Sequence, residues 1–186
     1  MTDPSEFTMS RISMIQPDQA SGAAAEIFSK IKKAVGKVPN AYLTIGTHNP
    51  EALGLLLSAD DIVSRGTLSK QDHEAINLAV SEAVGCDYCV AAHTAIGKMV
   101  GLSVEATRQI RSGQPTGDSK RDAPVHFVRN LVLTHGTVSA EEFAAILDAG
   151  YTQSELVDIS LAVSAITFTN AINRISDTTL DFPKVN

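Results

Sequence analysis

A chain of 186 residues with a net charge of −6 is poorly suited to a phosphate-backbone partner, which asks for a basic patch. Its length fits one domain or two fused small units. Aromatic residues make up 5% and tryptophan is absent, so the core must come from Ala, Leu, Ile and Val, which suit close helix packing better than sheets.

Residues 1–16 read as an irregular arm with apolar anchors at Phe7, Ile12, Met14 and Ile15. The N-terminus lacks the basic-then-apolar layout of a secretory signal, and no membrane-spanning run of about 20 apolar residues is evident. A cytoplasmic location with no membrane partner is therefore expected. A first helix is predicted from Asp18 to Val35, with Ala23, Ile27, Ile31 and Val35 at helical spacing. A short helix follows over Asn40–Thr47 and another over Glu51–Val63. The second carries Leu53, Leu55, Leu56 and Leu57, more than one buried face needs, so it is deeply buried or lies at a subunit interface.

Ser69 with Asp72 is a capping-box variant opening a helix to Val84. Gly85 lets the chain turn, and Cys86 opens a helix running to Val100. Ser103–Ile110 is a further short helix, and Arg111–Asp122 is read as the loop between two halves. Helices are then predicted over Pro124–His135, Ser139–Ala149 and Thr152–Ile175, with Gly150 placed as a helix-ending glycine. No stretch alternates with period two, so the fold class is all-α. Leu78-Ala-Val-Ser81 recurs as Leu161-Ala-Val-Ser164, an offset of 83 residues. The expectation is a single domain, built from related halves 17–112 and 120–178, with the chemistry in the first.

That chemistry sits in Cys86-Asp-Tyr-Cys89-Val-Ala-Ala-His93, which holds both cysteines of the chain. On a helix, Cys86, Cys89 and His93 fall at roughly 0°, 300° and 340°, one narrow face. A close cysteine pair in a reducing compartment points to redox or metal chemistry rather than to a structural staple. A thiol at a helix start has its thiolate favoured by the dipole and the free N–H groups, and His93, one turn beyond Cys89, is the natural base for it. If the chain reverses at Gly85, Glu74 lies level with His93 and can orient it or relay a proton. Glu82 is the rival carboxylate, expected to project into solvent. A zinc site built on Cys86, Cys89 and His93 would need a fourth ligand, Glu74 or a distant His. Tyr88 reads as a packing residue, His48, His73, His126 and His135 as surface or cap residues, and Asn170 and Asn173 as buried, hydrogen-bonded residues.

Glu74 followed by Cys86-x-x-Cys89-x-x-x-His93 resembles the signature of the AhpD-like alkylhydroperoxidases within the carboxymuconolactone decarboxylase superfamily. Gly36-Lys-Val-Pro39-Asn40 and Asp181-Phe182-Pro183 extend the likeness to the peroxidase-related, two-part members. The resemblance implies an all-helical fold, assembly into trimers or hexamers, and reduction of a small-molecule peroxide without cofactor or metal, the oxidised site being restored by a thiol reductant. Carried over, Cys89 is the peroxidatic sulfur, Cys86 resolves it to a disulfide, and His93 and Glu74 form the proton relay. The best-known members carry a further histidine between the cysteines, where this chain has Tyr88. A general thiol–disulfide oxidoreductase and a non-enzymatic redox-sensing or zinc-binding module are the alternatives.

Overall fold

The computed structural model describes residues 10–134 and 136–185. The arm before residue 10, with Phe7, and His135 lie outside the described residues. Nine helices and no strand are present among those described: α1 (Gly22–Val35), α2 (Asn40–His48), α3 (Pro50–Arg65), α4 (Lys70–Ala83), α5 (Asp87–Met99), α6 (Val104–Ser112), α7 (Ser119–Leu133), α8 (Ala140–Asp148) and α9 (Gln153–Ser176).

Helix starts follow local chemistry. Asn49, Ser69, Ser103, Asp118, Ser139 and Thr152 each accept a backbone N–H from the first turn that follows, satisfying donors that would otherwise be orphaned. Thr152 and Glu155 complete a reciprocal capping box. Two boundaries differ from the sequence reading. Helix α1 begins at Gly22 because Pro17–Gln19 form a turn. Helix α7 begins at Ser119, five residues before Pro124. The Asp118 cap starts that helix, and Pro124 is carried within it, so the link between α6 and α7 is only residues 113–118.

Helix α4 is the centre of the molecule. Every residue from Glu74 to Ser81 is buried, because α5, α6, α7 and α9 surround it. Ile76, Leu78 and Val80 of α4 pack in one core with Val125, Val128, Ile146, Ile159 and Ala162, so residues of both expected halves contribute to that core. A second core joins Phe28, Ile31, Leu43, Leu53 and Leu56 to Ala165 of α9. The leucines of α3 divide accordingly: Leu53 and Leu56 are internal, whereas Leu55 is 74% exposed.

Helix α9 is long and apolar enough to pass for a membrane span by length and composition, which the sequence reading did not anticipate. Here it is a core helix, with Ile159, Ala162 and Ile166 in the main interior. At the offset of 83 residues it runs unbroken where the first half turns at Gly85. Gly85 has φ +69°, a left-handed conformation that side-chain-bearing residues avoid. That turn folds α5 back along α4.

Gly46 marks the tightest packing. A methyl group there would strike the Phe28 ring and lie 2.8 Å from Leu53 Cδ2. Gly46→Ala is expected to cost about 2 kcal/mol or more by overpacking. Gly54→Ala on α3, whose nearest neighbour would be Ile27 Cδ1 at 3.9 Å, should be neutral or stabilising by about 0.5 kcal/mol. Urea titration of the two variants checks the contrast.

Candidate active site

The reversal at Gly85 sets α5 beside α4, and Glu74 Oε2 lies 2.8 Å from His93 Nδ1. Both side chains are enclosed, at 12% and 17% exposure. Burial opposes a charge on either group. For Glu74 the charge and hydrogen bond of His93 outweigh it, so its pKa falls below the ordinary carboxylate value. For His93 the Glu74 carboxylate outweighs burial, with smaller help from Asp60 and Cys86, and its pKa is raised. Each group therefore favours the other's charged form, carboxylate beside imidazolium.

Cys86 is the N-cap of α5 rather than its first helical residue. Its sulfur stands where a Ser or Asp oxygen would cap, and no side chain takes that role. The Cys89 thiol hydrogen-bonds to it and, against the cost of burial, lowers its pKa; the backbone N–H of Cys89 and the charge of His93 act in the same direction. Cys89 shows the converse. Its hydrogen bond to Cys86, its burial and the nearby negative charge all raise its pKa. Of the two sulfurs, Cys86 is thus the one that gives up its proton first. Asn173 Nδ2 on α9 donates to Cys89 Sγ at 3.2 Å. No hydrogen bond joins His93 to either sulfur.

A cavity of about 580 Å³ opens beside Cys89, His93 and Glu74. Leu56, Ile96, Ala165, Ile166 and Phe182 give it hydrocarbon walls. Polar groups interrupt these walls. Asp60 of α3 faces it with no hydrogen bond or ion pair among the described residues, and burial, reinforced by Glu74 and opposed by His93, raises its pKa to about 6. Tyr42 lines the same wall, and burial holds its hydroxyl protonated.

Several residues are placed differently from the sequence reading. His73 is not a surface or cap residue: it lines the cavity beside Glu74, its Nε2 is buried without a partner, and burial keeps it neutral. Glu82 does not face solvent alone; its carboxylate accepts from Arg111 Nε at 2.8 Å and is held against α6. Tyr88 is more than packing. Its hydroxyl donates to Asp181 Oδ1 at 2.6 Å and accepts from the Ala41 N–H at 3.2 Å. Phe182 stands edge-on to its ring, and Lys37 binds the Asp181 carboxylate at 2.9 Å. Asn170 accepts from Ser81 Oγ, whereas Asn173 reaches the thiol. Among the described residues, no group of three or more His, Cys, Asp or Glu side chains is arranged to hold a metal ion.

Sequence reasoning missed Asp60, Tyr42 and the thiol contact of Asn173. Only Asn173 carried a signal, as a polar residue on an apolar helix.

Residues 50–113 match the carboxymuconolactone decarboxylase family, a span that includes α3 to α6 and with them Asp60, Glu74, both cysteines and His93. No curated protein matches the sequence. Among solved structures, the fold is shared with an alkylhydroperoxidase AhpD core, an uncharacterised peroxidase-related protein from Ralstonia eutropha JMP134. The two are 22% identical with a TM-score of 0.81, covering 93% of each chain. It is shared also with a peroxidase-related protein from Silicibacter sp. TM1040 (18% identity, TM-score 0.79, 96% and 94% covered). A third is a cysteine-to-alanine variant of the debrominase Bmp8 in complex with 2,3,4-tribromopyrrole (17% identity, TM-score 0.77, 94% and 93% covered). The carboxymuconolactone decarboxylase match thus spans the site, and the all-helical fold around it is the one shared with these AhpD-like, peroxidase-related structures.

Proposed function

We propose that this protein is a thiol peroxidase that reduces organic hydroperoxides or hydrogen peroxide through a Cys86–Cys89 dithiol. The observation that carries the reading is that Cys89 shares the wall of one cavity with the Glu74–His93 pair. Cys86 is the first of the pair to ionise, and Cys89 becomes nucleophilic when its proton crosses to the Cys86 thiolate. Cys89 attacks the peroxide, the O–O bond breaks, and the alkoxide takes a proton from His93. Neutral His93 then removes the Cys86 proton. Cys86 attacks the sulfenic sulfur and expels hydroxide, which leaves as water with that proton. One peroxide and two thiols give an alcohol, water and a disulfide. A thiol reductant completes the cycle, and assembly into trimers or hexamers through the exposed Leu55 side of α3 belongs to the same reading.

The test is a thiol count before and after one equivalent of cumene hydroperoxide. Two thiols should vanish and return with dithiothreitol. Survival of both overturns the proposal. A second reading, reductive debromination, is favoured by the size and hydrocarbon lining of the cavity, far more than hydrogen peroxide needs. A carbon–bromine bond would be reduced to carbon–hydrogen, releasing bromide, with the same disulfide as product. Bromide release from a bromopyrrole, with no reaction toward peroxide, would replace the first reading with this one.

A further inference from the structure

Both sulfurs are buried, yet they do not open on the same space. Cys89 lines the hydrocarbon-walled cavity, whereas Cys86 lines a separate one of about 530 Å³. The second cavity lies over the α5 N-terminus and against the chain that follows α9. Arg174, Asp177, Thr178 and Lys184 give it a polar wall. Two of its buried residues, Asn173 and Thr178, carry a side-chain oxygen without a partner, Oδ1 and Oγ1 respectively. Tyr88 and Asn173 line both cavities, and the Tyr88 hydroxyl is fixed by Asp181 on one side and the Ala41 N–H on the other.

We infer that the second cavity is the entry site for a small thiol reductant, which attacks Cys86, so that oxidant and reductant reach the cysteine pair by separate routes. This rests on the dithiol cycle proposed above. Thiol–disulfide exchange requires the incoming sulfur to reach the attacked sulfur from the side opposite the one that leaves. With Cys89 facing the first cavity and Cys86 the second, a thiolate in the second cavity meets Cys86 with Cys89 as the leaving sulfur. That bond breaks, the Cys89 thiolate is received by the Asn173 N–H and takes up a proton, and a mixed disulfide stands on Cys86. A second thiol, from the same molecule or another, attacks the reductant's sulfur and releases Cys86 as a thiolate at the helix N-terminus. Two thiols become one disulfide, and the pair regains its two electrons. The unpartnered Thr178 oxygen, which lines the second cavity and not the first, offers an acceptor to a polar thiol there, beside Arg174 and Lys184.

The two routes are separable by single-turnover kinetics of each half-reaction. The disulfide is prepared with diamide and re-reduced with dithiothreitol, so a protein inert to peroxide still reports on the reductant route. Arg174→Trp and Lys184→Trp, at exposed positions on the second cavity, should slow re-reduction about tenfold and leave oxidation by cumene hydroperoxide within about twofold of wild type. Val35→Trp, exposed at the mouth of the first cavity, should do the reverse. Wild-type re-reduction in both second-cavity variants overturns the inference, as does equal slowing of both half-reactions by Val35→Trp. If peroxide leaves the thiols intact while the re-reduction pattern holds, the peroxidase reading fails and the separate entrance stands.

Discussion

Cys89→Ser is expected to abolish peroxide turnover, by at least about 10³-fold, because a hydroxyl in that place is neither acidic nor nucleophilic enough to open an O–O bond. Cys86→Ser should separate the steps. The variant consumes one equivalent of peroxide and then stops, leaving a sulfenic acid on Cys89 that dimedone traps. The structure makes this pair of variants more informative than the motif does. Cys86, at the helix start, is the more acidic sulfur, whereas Cys89 is the one that faces the cavity holding Glu74 and His93. If acidity alone chose the nucleophile, Cys86 would react first, and the dimedone adduct would form in Cys89→Ser instead. Mass spectrometry of the two variants decides which property governs.

Glu74→Gln is the second large effect, on stability as well as rate. The folded pKa of Glu74 is depressed from 4.5, so its contribution is present above that value and is lost as pH falls through the depressed one. The folded pKa of His93 is raised from 6.5, so its contribution is full below 6.5 and is lost as pH rises through the raised value. The pair therefore stabilises most between these two reference values. Replacing Glu74 removes the partner of an enclosed charge and should cost about 3 kcal/mol near pH 5.5. The penalty should shrink at a second, alkaline pH beyond the raised pKa of His93, where the wild-type imidazole has also shed its proton. Turnover near neutral pH should fall roughly 10- to 100-fold as the imidazolium is lost. Denaturant titration at the two pH values checks the sign: a penalty that grows with pH would mean that the pair is not charged as described.

What was legible in the sequence was what one or two adjacent helices determine. The cysteines and His93 lie within eight residues, where helical periodicity fixes their common face. Glu74 followed from a single reversal at Gly85. The caps at Ser69, Ser139 and Thr152 were equally local. Asp60 reaches the cavity from α3, and Asn173 reaches Cys89 from 84 residues away; only tertiary packing brings these together, and no spacing rule announces it. His73 was misread because its own helix looks amphipathic there, whereas α4 is enclosed on every side. The start of α7 was misread because Pro124 is a common first-turn residue, while the decisive signal was the Asp118 cap six residues earlier.

The enclosure of α4 has a consequence for engineering. The carboxylate that charges His93 sits in the second turn of the helix against which most of the fold is assembled, so the reactive centre and the centre of the scaffold are on the same element. In many enzymes a stabilising screen can proceed in the interior and leave a surface cleft alone. Here the most rewarding interior change, exchange of the enclosed ion pair for two hydrocarbon side chains, is also the one that removes the proton donor. A heat-selected library of this protein should therefore accumulate catalytically silent variants at positions 74 and 93.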